Sequence, residues 1–402
     1  MPSVAVSLFT ISVVVLGVFY KFWVVPVLEL GGAYRTVQPL NTEGCHETVE
    51  GLQACEKLVI HPSGLVYLAC ASSPWSRVDW TPAMEALNAS AVRAKTSQDY
   101  IATYDPHSRL VTKLDLLGFS DPRGLNVHGM DAVPDKDDPN MLWIYVVNHR
   151  PPLDPTVDAH KVGADSVIEI FRARVGASSI EWVKTVEDSS VIITPNDVLG
   201  AANGQEFWFT NDHHVKVGLM RGLYMILGVK STTVGYCHVD HGCKIAADEL
   251  YGSNGIVRAS DGSVWVASTF GGYITVHEQQ ADRTLVPTEV INVGMPMDNL
   301  ALSTDGSVIA AAFPKLFHYF SGSLKNPDIP SAASVFRISI NTGNSGYFGE
   351  KYKVEKIFEE DGAMLGSLAT TATVHKDTLY AHGNTAKRLI VCKMPSEVLG
   401  PR

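Results

Sequence analysis

SDGSVWVAS, residues 260–268, reads as a polar turn that runs directly into a strand. Asp261 and Gly262 are turn formers, while Val264, Trp265 and Val266 suit a pleated, half-buried surface. The same order, a turn and then a short β-rich run, returns in HPSGLVYLA (61–69), MLWIYVVN (141–148), GQEFWFTN (204–211), TDGSVIAAA (304–312) and HKDTLYAH (375–382). Their starts fall about 45 to 80 residues apart, near the spacing of propeller blades with loop insertions. Clear helical periodicity is scarce. Two sandwich domains would also supply short strands, yet no Pro/Gly/Ser linker or compositional break divides residues 33–402. The pattern therefore predicts one all-β propeller over 33–402, preceded by a distinct segment over 1–32.

That segment is hydrophobic. Pro2 to Tyr20 carries no charge, and after Lys21 the apolar character resumes through Leu28, enough for the roughly 20 residues a bilayer requires. Without a basic n-region or a small-x-small cleavage site, an uncleaved anchor is favoured over a cleaved signal. Lys21 on the downstream flank points to a cytosolic remainder, whereas six cysteines point to the lumen or exterior. The sequon Asn88-Ala89-Ser90 also fits a secretory route. With 46% hydrophobic residues the remainder can bury a large core, and a net charge of -10 without any basic cluster argues against a nucleic-acid surface. An acidic balance suits a cation site.

No CxxC pair occurs, so zinc-ribbon and thioredoxin chemistry have little support. In CHVDHGC, Cys237 and Cys243 either close a short disulfide loop or join His238, Asp240 and His241 around a metal. Two insertions interrupt the blade pattern. Residues 71–98 hold Trp75, Trp80 and a predicted helical stretch from Pro82 to Lys95. Residues 215–229, VKVGLMRGLYMILGV, are apolar enough to pack as a lid or to lie at a membrane surface.

Oxygen donors gather where strands begin. TPNDV supplies Asn196 and Asp197, YGSNGI supplies Asn254, and PMDNLAL supplies Asp298 and Asn299. Glu56, beside Lys57, opens the run before HPSGLVYLA. Taken singly, such residues are mostly turn caps. In a propeller the innermost strands line a central tunnel, where residues distant in sequence converge. A Glu, an Asp and three Asn offer only hard oxygens, which select calcium over zinc or copper. His128, His149, His213 and His214 are poor calcium ligands and better general-base candidates. No G-x-S-x-G, H-E-x-x-H, P-loop or G-x-G-x-x-G is present.

The ordered series VHGM, VVNH, PNDV, FTNDHH, SNGIVRASDGSVWVA, MDNLALSTDG and GSLATTATVHKDTLY resembles the paraoxonase/arylesterase family over most of residues 40–393. That resemblance implies a six-bladed propeller with calcium in a central tunnel, held by Glu56, Asn196, Asn254, Asp298 and Asn299. It implies His128 as general base, His149 as its relay partner, and a Cys45–Cys392 bridge between the first and last strands. The implied activity is calcium-dependent hydrolysis of lactones and aryl esters: calcium polarises the carbonyl, and a histidine-activated water attacks. The implied substrate is a small apolar lactone or ester, with the propeller lumenal or extracellular behind an uncleaved anchor. The alternative is a non-catalytic, calcium-stabilised propeller that binds a lipid or protein. Two departures stand out. The family places an aspartate after the liganding glutamate, where it helps hold a second, structural calcium; this chain has Lys57, which is expected to pair with Asp197 near the Met130 carbonyl and replace that ion. A family histidine on the tunnel wall corresponds here to Phe313.

Overall fold

The computed structural model describes residues 4–47, 51–363 and 365–399. The outermost residues of the two predicted segments, 1–3 and 400–402, lie outside that set.

Among the described residues antiparallel ladders build six sheets of four or five strands, beside one small two-stranded ladder. The first contains Cys55–Ile60, Val66–Cys70, Tyr100–Asp105 and Leu110–Lys113; the second contains Val127–Pro134, Met141–Arg150, Asp165–Arg174 and Ser179–Val186, with Asp115–Leu117 added in parallel at its edge. The remaining four begin at Pro195–Gly200, Ser253–Arg258, Met297–Leu302 and Thr371–His375. These first strands touch one another around a closed ring. The chain is thus a six-bladed propeller, and each of the six quoted turn-and-strand segments contributes the second strand of a different blade.

Local chemistry explains why those segments were visible. Asp261 Oδ1 accepts from the Ser263 amide at 3.0 Å and from its hydroxyl at 2.6 Å, and Asp305 does the same with Ser307. Gly262 and Gly306 complete these turns at φ of +86° and +83°. Each blade then packs on the next through its own apolar layer. Tyr67, Val127 and Phe171 join the first two blades, while Leu58, Leu68 and Tyr380 join the last to the first. Burying one such side chain contributes roughly 1.5–3 kcal/mol before the entropy of ordering is counted.

The ring is closed by the strand Cys45–Glu47, which pairs with Ile390–Lys393 and carries the Cys45–Cys392 disulfide. Cys237 and Cys243 face each other across a hairpin and also form a disulfide, so the metal alternative for CHVDHGC falls away. A third bridge, Cys55–Cys70, joins the first two strands of blade one and was not anticipated.

The first insertion differs from expectation. The stretch Pro82–Lys95 is not one helix: a turn at Pro82–Met84 ends at Glu85 with φ of +55°, a two-residue ladder joins Trp80–Thr81 to Ala86–Leu87, and only Ala89–Ala94 is α-helical. Its tertiary ties override local propensity; Trp80 Nε1 donates to the His149 carbonyl at 2.7 Å. In residues 215–229 the helix is limited to Leu219–Ile226, with Arg221 and Met225 inward. Apart from Met225 its aliphatic side chains lie at the surface, Leu219 being 87% and Ile226 73% exposed.

The N-terminal run is helical from Val4 to Leu30, with a widened turn over Tyr20–Val24 just before Pro26, whose ring nitrogen cannot donate back along the helix. Its Ile11–Leu30 portion is 20 residues long and apolar enough to cross a membrane.

Candidate functional site

At the axis, the ladders between first and second strands slip. The register shifts between Cys55 and Lys57, between Pro195 and Val198, between Ser253 and Ile256, and between Met297 and Leu300. Each interval contains a donor singled out by sequence: Glu56, Asn196 with Asp197, Asn254, and Asp298 with Asn299. Opposite the shift at Val146–Asn148 stands His128. A bulge re-aims a side chain that a regular strand would point along the blade, so five blades deliver polar groups to one place. Two glycines make the approach possible. A Cβ at Gly129 would lie 2.3 Å from the Asn196 carbonyl oxygen, and one at Gly255 would lie 2.5 Å from the Leu300 nitrogen.

Glu56, Asn196, Asn254 and Asp298 line one small cavity of about 70 Å³. Glu56 Oε2, Asn196 Oδ1 and Asn254 Oδ1 have no hydrogen-bond partner among the described residues. Unmatched buried oxygens from three blades are costly unless a cation meets them, and hard oxygens suit calcium. Burial pushes the Glu56 carboxyl up to about 7; burial, and then the charge of Glu56, push Asp298 well above its ordinary range. Two carboxylates so placed call for a positive partner. Among the described residues no three His, Cys, Asp or Glu side chains group as a metal site, and half of this donor set is amide.

Asn299 takes a different position from the other donors. Its Oδ1 accepts from Lys57 Nζ at 3.2 Å, while its Nδ2 donates to the Glu56 carbonyl at 3.0 Å and to Glu56 Oε1 at 3.4 Å. Lys57 Nζ also donates to Asp197 Oδ2 at 2.5 Å and to the Leu300 carbonyl at 3.1 Å, using all three of its protons. Asp197 is fully buried and Lys57 is 4% exposed. Met130 is buried on the innermost strand of blade two.

Above the oxygen cluster, His128 and His149 stand edge to face with ring centroids 5.1 Å apart. His149 Nδ1 meets Ser166 Oγ at 2.8 Å, and His128 Nδ1 and His149 Nε2 have no partner among the described residues. Burial lowers both imidazoles, His149 to about 3, so both are neutral near pH 7.

Several neighbours escaped the sequence reading. Arg77, from the first insertion, donates to the Val127 carbonyl at 2.6 Å and to the Ala54 carbonyl at 3.2 Å, placing a buried cation beside the site. Asp212 Oδ1 meets His213 Nδ1 at 2.7 Å and lines the cavity. Although burial raises Asp212, the charges of His213 and Arg221 outweigh it and hold the carboxyl far below its usual range. Of the two histidines in FTNDHH, His213 reaches the cavity, while His214 stacks on Tyr224 with centroids 4.2 Å apart. The opposite wall is aromatic: Phe270, Phe313, Tyr319 and Phe320. Only Phe313 carried a sequence signal.

Fold and site together define a six-bladed propeller whose axis holds a cluster of hard oxygen donors beneath a neutral histidine pair. The arylesterase family model matches residues 48–394, and the chain belongs to that family. It is 24% identical over 371 residues to human serum paraoxonase/lactonase 3, covering 91% of this chain and 93% of that one, and 26% identical over 369 residues to human serum paraoxonase/arylesterase 1, covering 90% and 92%. Among solved structures, a gluconolactonase from Xanthomonas campestris matches with a TM-score of 0.44 and 12% identity over 90% of this chain and 99% of that one.

Proposed function

We propose that the chain is a calcium-dependent hydrolase of lactones and aryl esters, with the reaction in the axial cavity. The observation that carries this is the convergence of three unmatched oxygens, from Glu56, Asn196 and Asn254, on a cavity that also holds His128. With Asp298 these residues would hold one calcium, and Asn299 would join if its amide turned its oxygen away from Lys57. When bound, the ion supplies a Lewis acid for the scissile carbonyl. His128 takes a proton from the attacking water and His149 relays it, Ser166 fixing the tautomer of His149 through Nδ1. Asn196, at the cavity edge, is placed to donate to developing oxyanion charge through its Nδ2. The aromatic wall receives the apolar body of a small lactone or ester and excludes water. Membership of the arylesterase family, and similarity to serum paraoxonase/lactonase 3, support this chemistry.

Lys57 acts as a tethered cation in place of a second, structural calcium, with Asp197 as its counter-charge. The apolar helix anchors the chain, residues 33–402 form the catalytic unit, and three disulfides favour a lumenal or extracellular face. Asn88 is exposed, as a glycan acceptor must be. The outward face of Leu219–Ile226 meets the same membrane. The test is hydrolysis of a panel of aliphatic lactones and aryl acetates by the full chain, with and without chelator. Turnover that chelation abolishes and calcium restores is expected; no turnover in calcium-replete buffer would leave the non-catalytic binding propeller.

A further inference from the structure

The apolar helix ends against the wall of the cavity. Its exit, Gly31–Gly32, lies so close to the segment after Phe313 that a Cβ at Gly31 would sit 2.3 Å from the Phe317 ring and one at Gly32 would sit 1.9 Å from the Pro314 carbonyl oxygen. Gly32 also holds φ at +77°, which side chains rarely adopt. Three residues on, Arg35 closes the junction. Its Nη1 donates to the Pro314 carbonyl at 2.9 Å and the Leu30 carbonyl at 3.4 Å, and its Nη2 donates to the Gly294 and Glu29 carbonyls, both at 3.3 Å. One guanidinium thus ties the end of the helix to the tops of blades four and five.

The far side of the same segment lines the cavity. The rings of Phe313 and Tyr319 lie tilted at 35° with centroids 4.6 Å apart, Tyr319 donates to Asn384 Oδ1, and Phe320 completes the wall. Phe317, which meets Gly31, lies one helical turn from Phe320.

We infer that Gly31, Gly32 and Arg35 form a clasp that makes the exit of the membrane helix part of the substrate-binding wall, so that the seating of the helix sets the fit of the aromatic side of the cavity. Arg35 is a positioning residue: it touches carbonyls of the wall segment and no part of the reacting centre. The inference rests on the proposed hydrolase for its kinetic consequence alone, because the mechanical coupling exists whatever the cavity binds.

The experiment compares the full chain in lipid nanodiscs with Arg35→Gln and Gly32→Ala, and with Tyr34→Ala as a control because Tyr34 is 71% exposed. Hydrogen exchange over 313–324 should quicken by about fivefold or more in both clasp variants, in Arg35→Gln from the loss of the charge-assisted bond to the Pro314 carbonyl and in Gly32→Ala from the clash with that oxygen, and stay unchanged in the control. Bound calcium should not change. For lactone or ester turnover, KM should rise several-fold while kcat stays within about twofold, the sign of lost ground-state binding rather than lost chemistry. Arg35→Lys should restore part of both effects. If exchange quickens at 29–35 but not at 313–324, helix and wall are uncoupled and the clasp is refuted. If no substrate turns over in any variant, the hydrolase assignment fails and the exchange data still decide the clasp.

Discussion

Lys57 Nζ lies 2.5 Å from Asp197 Oδ2 inside the tunnel, where both residues are buried. The same ammonium holds the Asn299 oxygen away from Glu56, so one lysine both neutralises the lower carboxylate and withdraws a donor from the cluster above it. Lys57→Met removes one member of a buried pair and should destabilise the calcium-free chain by about 3–5 kcal/mol in urea titrations. Lys57→Asp should raise the calcium count by native mass spectrometry from one per chain to two. A second calcium already present in the parent chain would show that the ammonium replaces nothing.

The upper cluster has its own signature. Glu56→Gln removes one of two carboxylates from a set otherwise made of amides, leaving too little charge to hold a divalent ion. Dialysed against micromolar calcium, the variant should lose its ion, and turnover should fall with it. Since Gln keeps the Asn299 contacts to the backbone of residue 56, the propeller should keep its melting behaviour in excess chelator.

Base chemistry should separate from ion binding. His128 reaches the cavity but offers no oxygen to a hard cation, so His128→Gln should lower kcat by roughly 10²–10⁴ at unchanged calcium content. Equal rates for the two proteins would remove His128 from the mechanism.

The ring-closing and the hairpin disulfide differ in the length of chain they enclose. Cys45–Cys392 spans 347 residues and Cys237–Cys243 spans 6. On the chain-entropy argument, Cys45→Ser with Cys392→Ser should cost about 2–5 kcal/mol, and the short pair clearly less. Equal losses in matched denaturation curves would mean that closing the ring adds nothing beyond a local staple.

Much of this was legible in the sequence because it is local chemistry. Asp-Gly turns and β-branched runs announce a strand within a few residues, and six such runs fell on six second strands. The donors Glu56, Asn196, Asn254 and Asp298 were visible because oxygen side chains are out of place at the start of an apolar run. What stayed hidden depends on contacts made through space. Arg77 looks like any surface arginine until its helix docks at the Val127 carbonyl. The Asn299 amide takes its direction from Lys57, and Tyr319 belongs to the site only because the helical segment between the second and third strands of blade five brings it to the cavity. The Cys55–Cys70 pairing needs the register between two strands, and the break at Glu85 needs the ladder that flanks it. A spacing rule sees none of these.

Glu360 makes a prediction far from the chemistry. It is 3% exposed, its Oε2 accepts from the Gly362 amide at 2.8 Å, and its Oε1 has no partner among the described residues. Burial therefore pushes the carboxyl up from 4.5 to about 7, with the charge of Asp361 adding to the shift and the Gly362 amide opposing it. A carboxyl raised in the folded state binds its proton more tightly there than in the unfolded chain. Its contribution to stability is complete below about 4.5 and is lost as pH rises through about 7. Glu360→Gln keeps the acceptor for Gly362 and cannot ionise. It should match the parent near pH 4.5 and exceed it at pH 8 by roughly 1–3 kcal/mol. The check is a pair of urea midpoints at each pH for both proteins. A difference that does not grow between the two would mean that Glu360 reaches water and titrates normally.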